Sequence, residues 1–277
     1  LLARELADQL GKKFPQPFVV ENKPGAGAAV GTEYVAHATD GHTFLFTSSN
    51  HVTVPALNPK LRYDILKDFK PITLVADQAS VLSAVPDLPG ADLREVIEHI
   101  RQNPGKYFYG TAGIGSGQHL NTAYLEQLTG IQMVHIPLKG QGEIITELLG
   151  ERIQVGFLVL STALPHFQSG AIRPLGVATA ERSPFAPDIP TIAEQGVDAF
   201  VSRSWLGLLA PASTPDAVVA QLHDAVTSLA DDPGYRAVTD KAGMTLVNST
   251  PVEFDAEIVR GLAQWREVVA DANIQTN

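Results

Sequence analysis

The chain has 277 residues, 44% hydrophobic and 18% charged, so it can bury one large core or two modest ones and is no disordered segment. Its net charge of −10, with no Lys/Arg cluster to offset it, excludes the cationic stripe that neutralises nucleic-acid phosphates. Cysteine is absent, which removes disulfides, thiolate chemistry and cysteine metal sites.

The longest apolar run, Val155 to Leu160, is strand-sized and far short of the roughly 20 residues of a membrane span, so a soluble protein is expected. Leu1–Leu10 reads as a helix from the first residue, with leucines at helical spacing and no capping residue ahead of them. That abrupt start predicts a strand and turn before it in the full protein, and an export signal already removed. Phe18–Glu21 reads as a short strand, Ala26–Ala38 as a helix containing Gly31, and Thr43–Thr47 as a strand. Ile72–Val75 and Val81–Val85 are further strands, and Asp92 caps a helix carrying Leu93, Val96, Ile97 and Ile100.

The middle repeats this grammar. Tyr107–Gly110 is strand-like, a glycine-rich loop follows, and a helix carries Leu120, Tyr124 and Leu128. Met133–Ile136, Ile153–Leu160 and Arg173–Ala178 read as strands, with Gly142–Leu149 helical, and a proline-rich loop covers 183–190. Ser204–Leu209 is a late strand. Thr214-Pro215 opens a helix with threonine as cap and proline first, and Thr250-Pro251 opens the last helix. Alternating strands and helices predict α/β architecture with mostly parallel sheets, whose ligands sit beyond the strands' carboxyl ends.

Those loops hold the candidate chemistry. Gly113-Ile114-Gly115-Ser116-Gly117 lies between a strand and a helix, where consecutive N–H groups at a helix start favour an anion; the alternative is a flexible connection. Thr47-Ser48-Ser49-Asn50-His51 ends another strand with hydroxyl and amide groups suited to a carboxylate, or forms an ordinary capping turn. Gly25–Gly31 resembles a loose dinucleotide fingerprint. No acidic residue ends the following strand, however, so a structural turn is favoured over a nucleotide-dependent enzyme. The eight histidines show no metal-binding spacing, and His119 reads either as a ligand donor or as packing at a helix start. Gly115-Ser116-Gly117 is not a nucleophile elbow, and no nucleophile, base and orienting group can be nominated, so catalysis, cofactor and metal are not expected. Trp205 reads as core or as a ligand-lining ring.

Seven segments, in their order and spacing, carry a resemblance over nearly the whole chain. They are Val20–Gly27, Asp64–Phe69, Gly113–Leu120, Val134–Gly140, Ala163–His166, Asp188–Glu194 and Ser204–Gly207. With them the chain resembles the Bug/TctC-type periplasmic substrate-binding proteins of tripartite tricarboxylate transporters. The resemblance implies a two-lobed Venus-flytrap fold, type II-like, with two mostly parallel sheets flanked by helices and two hinge strands. It places residues 1–107 and 210–277 in lobe one and 108–209 in lobe two, with hinges near Tyr107–Gly110 and Trp205–Leu209.

It further implies a monomer in the periplasm of a Gram-negative bacterium, without membrane insertion or nucleic acid. That monomer would clamp a small organic carboxylate between its lobes and pass it to permease subunits. The implied ligand residues are Ser48, Ser49 and Asn50 on lobe one, and Gly113, Ile114, Gly115, Ser116, Gly117 and Thr162 on lobe two, joined by Leu158 and Trp205. Three departures stand out. The family's first strand and glycine-rich loop do not precede Leu1. Leu158 stands where many members carry an aspartate, which predicts a dicarboxylate or aromatic acid without an amino group. Leu138 replaces a common tyrosine.

Overall fold

The structure, a computed structural model, describes residues 2–274. The chain forms two compact units, Leu1–Asp77 with Ser204–Arg266 and Gln78–Arg203 with Glu267–Asn277. In the first unit the opening leucine spacing becomes helix α1 (Leu2–Lys13), which buries Leu2, Leu6 and Leu10; Leu1 itself lies outside the described residues. Each of these leucines contributes roughly 2 kcal/mol of apolar burial. Helix α2 (Ala29–Ala36), strand β1 (Leu45–Ser48), helix α3 (Asn50–Leu57) and strand β2 (Phe69–Gln78) follow. The expected strand at Phe18–Glu21 is instead extended chain without a ladder: Phe18 packs at the core edge, whereas Val19 is 85% exposed. Burial alternates there, with Phe18 and Val20 half-buried and Val19 and Glu21 exposed, as at a half-buried margin.

The second unit contains β3 (Ser80–Ala84), α4 (Leu93–Arg101), β4 (Phe108–Thr111), α5 (Gly117–Thr129) and β5 (Val134–Pro137). It continues with α6 (Gln141–Leu149), β6 (Val155–Val159), α7 (Leu160–Gln168) and β7 (Arg173–Val177). Asp92 caps α4 as its position predicts, accepting the Glu95 N–H at 3.0 Å. Its core joins the apolar face of α4 to Phe157, Leu158, Ile144, Leu148 and Phe200.

The chain then returns to the first unit through β8 (Trp205–Pro211), α8 (Asp216–Thr227), α9 (Pro233–Lys241), β9 (Met244–Leu246) and α10 (Pro251–Asp271). Helix α8 begins one residue later than Thr214-Pro215 suggests: Pro215 is the capping residue, and the Thr214 side chain caps nothing. Helix α10 does open on its threonine. Thr250 Oγ1 accepts the Glu253 N–H at 3.2 Å while Glu253 accepts the Thr250 N–H at 2.8 Å, a reciprocal capping box.

The sheets are mixed, which corrects the expectation of mostly parallel ones. The first has the order β1-β8-β2-β9, with β8 antiparallel to both β1 and β2. The second has the order β5-β4-β6-β3-β7, where β4 is parallel to β5 and β6 but β3 is antiparallel to β6 and β7. In each sheet the reversed strand is the first one after the chain enters that unit. β3 follows β2 across Ala79 alone, without the crossover helix that would restore a parallel direction. The unit boundaries differ from those expected for the same reason. β2 and β8 are the strands at the crossings, α10 makes a third, and β4 lies inside the second unit's sheet rather than at a hinge.

Candidate functional site

In the first unit β1 ends at Ser48, and α3 starts two residues later. The Ser49 N–H donates to the Trp205 carbonyl at 3.0 Å, tying this strand end to β8, and the Asn50 N–H turns onto Ser48 Oγ at 3.3 Å. Among the described residues nothing accepts from the Ser48 or Ser49 hydroxyl or pairs with the Asn50 carboxamide, and all three residues are half-buried. Three small polar groups therefore stand together at a helix start. His51, the next residue, is buried edge-on to Phe69 with ring centroids 5.1 Å apart, and burial holds its pKa down at about 3.

In the second unit β4 delivers the chain to the glycine loop, which turns through left-handed backbone at Gly113 (φ 106°) and Gly115 (φ 76°) before α5. The loop is braced from within. Thr111 Oγ1 accepts the Gly113 N–H at 3.2 Å, His119 Nδ1 accepts the Gly115 N–H at 3.0 Å, and the Gly113 carbonyl accepts the Ser116 N–H at 3.2 Å. Ser116 caps α5 by accepting the His119 N–H at 3.3 Å. The run of free amides expected across Gly113–Gly117 is thus partly spent. Among the described residues the amides of Ile114, Gly117 and Gln118 keep no acceptor, and they point a helix start at whatever anion comes there.

Thr162 sits in the first turn of α7, where its hydroxyl donates to the Val159 carbonyl at 2.9 Å and accepts from Gln141 Nε2. Gln141 Oε1 in turn accepts the Val159 N–H at 3.0 Å. Gln141 clasps the end of β6, a role that no motif around it announced.

Two of the expected ligand residues, Leu158 and Trp205, are packed away. Leu158 is fully buried in the second unit's core, opposite Val81 on β3, and Leu138 packs against the same core. An aspartate-to-leucine difference at 158 therefore changes core packing and gives no ground for excluding amino acids. Trp205 is likewise 1% exposed, its ring edge-on to Phe254 at 5.0 Å, as a core tryptophan. The Gly25–Gly31 segment forms a tight turn with left-handed backbone at Ala26, Gly27 and Ala28, and Lys23, just before it, lies 4.0 Å over the Tyr34 ring, also bonded to Glu21. That is the structural turn rather than a phosphate loop. A concavity of about 440 Å³ on α4 and α5 contains none of the candidate residues; Arg94 and Arg101 there are committed to the Gln195 and Thr129 carbonyls. Among the described residues no group of three or more acids or histidines is placed to hold a metal, and no helix is long and apolar enough to cross a membrane.

Two reversed-strand α/β units with small polar groups at their strand ends define the class of two-lobed periplasmic binding proteins. Residues 2–274 match the model of the tripartite tricarboxylate transporter family receptor, and the chain belongs to that family of solute-binding proteins, which are not enzymes. The chain is 35% identical to a UPF0065 protein of Bordetella pertussis over 85% of its own length and 73% of the relative's. It is also similar to the Rhodopseudomonas palustris protein Rpa4515 solved with adipate, at 30% identity and TM-score 0.82, over 99% of this chain and 92% of that one. MatC of Rhodopseudomonas palustris, solved with bound malate, is 29% identical with TM-score 0.79, over 97% and 93%.

Proposed function

We propose that this chain is a monomeric periplasmic receptor that captures a small organic carboxylate, a dicarboxylate foremost, and delivers it to the permease of a tripartite tricarboxylate transporter. The observation that carries the reading is the unspent donor set at the two strand ends: the Ile114, Gly117 and Gln118 amides with Ser116, and the Ser48, Ser49 and Asn50 side chains. Main-chain donors at a helix start suit a carboxylate because each N–H···O⁻ bond is charge-assisted, about twice as strong as a neutral one. They also act locally, so they work against the repulsion of a chain with net charge −10. Relatives that hold adipate and malate support the same ligand class.

The test is a thermal-shift panel of adipate, malate, citrate, an aromatic dicarboxylate, glutamate and NAD⁺. A ligand at 100 times its Kd stabilises the folded state by about 2.7 kcal/mol. For a chain of this size that is a rise in Tm of roughly 5 °C or more. At least one non-nucleotide acid should give it. A rise with NAD⁺ alone, or with no member of the panel, would contradict the proposal.

A further inference from the structure

Behind the glycine loop lies a column of three rings that carboxylate capture by itself does not require. Tyr109 of β4, His135 of β5 and His119 of α5 stack in sequence, with His135 and Tyr109 centroids 5.0 Å apart and His119 and His135 centroids 4.1 Å apart, the latter pair only 10° from parallel. Both imidazoles reach loop amides. His119 Nδ1 accepts the Gly115 N–H directly, so its proton is on Nε2. His135 Nε2 meets Thr111 Oγ1 at 2.6 Å, and that oxygen accepts the Gly113 N–H while donating to the Gly113 carbonyl at 3.2 Å. One bonding scheme satisfies every contact: His135 Nε2–H donates to Thr111, and Thr111 donates on to Gly113.

We propose that His119, seconded by His135 and Thr111, is a positioning residue for ligand binding, its neutral imidazole holding Gly115 so that the neighbouring free amides face the ligand. The idea rests on the carboxylate-receptor reading above. Gly113 and Gly115 have left-handed backbone that glycine leaves soft, so something must hold it, and the two amides that anchor it are the two the ring column engages. The spent amides are what aim the unspent ones.

The bond needs His119 neutral, since a protonated Nδ1 would be a donor facing a donor. Its surroundings meet that need. Tyr109 faces it from β4 and His135 from β5, while β6 carries no titratable side chain and Glu126, further along α5, accepts the Met133 N–H instead. Burial, then the neighbouring His135, hold His119 down at about 4, and burial lowers His135 as well.

The test compares His119→Phe, which keeps the ring and removes the acceptor, with His119→Asn, which restores an acceptor near the Nδ1 position. Adipate, or the best-bound acid of the panel, is titrated calorimetrically between pH 8 and pH 5.5. The Phe variant should bind about tenfold more weakly, as loss of one aimed donor implies, and the Asn variant within about threefold of wild type. The ratio of wild-type to Asn affinity should stay flat across pH 6.5, where an ordinary histidine would titrate. Equal binding by the Phe variant, or a step in that ratio near pH 6.5, would overturn the idea. Hydrogen exchange at the Gly115 amide in ligand-free protein gives a separate reading: slow in wild type and the Asn variant and fast in the Phe variant supports the brace, and equal rates in all three refute it. Absence of any acid binding to wild type would instead strike the receptor reading, which this exchange measurement does not need.

Discussion

His51 gives the sharpest prediction about the first unit. Its side chain is 2% exposed, and neither ring nitrogen has a partner among the described groups. Burial alone holds its pKa at about 3 against an ordinary 6.5. A base whose folded pKa is depressed binds fewer protons in the folded state than in the unfolded one below pH 6.5, so its contribution to stability falls as pH falls from 6.5 toward 3. Between pH 7 and pH 5 the unfolded chain takes up most of a proton that the folded chain refuses, a loss of about 2 kcal/mol at 1.4 kcal/mol per pH unit. His51→Leu removes that proton and two unpaired buried nitrogens, so it should be no less stable at pH 7 and about 2 kcal/mol less sensitive to the change to pH 5. Urea unfolding followed by tryptophan fluorescence reads this directly, because Trp205 and Trp265 both belong to His51's own unit. Losses from His119, His135 and the carboxylates occur in both proteins and cancel in the difference. Equal pH sensitivity, within about 0.5 kcal/mol, would refute the reasoning and imply that folded His51 takes up a proton freely.

Other consequences follow from single contacts. A Cβ added at Gly207 would lie 2.3 Å from Phe254 Cζ in a buried strand, so Gly207→Ala should lower stability by about 3 kcal/mol, seen as a lower urea midpoint. Thr250→Ala breaks the capping box of α10 and should cost about 1 kcal/mol in the same assay, with Thr250→Ser recovering most of it. Gly115→Ala forces a side chain into left-handed backbone at a strain of about 1 kcal/mol. Because that strain falls on the donor loop, calorimetry should show carboxylate affinity reduced by about fivefold or more while Tm moves only a few degrees.

Much of the architecture was legible because local chemistry and tertiary structure agree. Asp92 and Thr250 announced their helices, the leucines at 2, 6 and 10 marked the buried stripe of α1, and the strand–glycine–helix order at 107–120 placed the donor loop. What could not be read depended on partners far along the chain. Helices α3 and α7 have no counterpart among the expected elements, and each continues through a proline, Pro55 and Pro165, that local rules disfavour in a helix. The reversed strands β3 and β8 carry ordinary strand patterns, since direction is set by where the chain has just come from. Leu158 was placed in the site by the resemblance, as the counterpart of an aspartate, and Trp205 was read as core or as a ligand-lining ring, yet both side chains are buried in cores that period-two patterning alone does not distinguish from a pocket. The ring column behind Gly115 joins residues 109, 119 and 135, a spacing that matches no local motif.

The claim that main-chain donors hold a charged guest is tested most directly by calorimetry with the best-bound acid of the panel and its neutral amide. The two share a skeleton and differ in charge. The acid should bind one per chain and the amide at least about 30-fold more weakly, the loss of two charge-assisted bonds. Equal affinity for the two would contradict the account, because apolar contact or shape rather than the carboxylate would then be what the protein recognises.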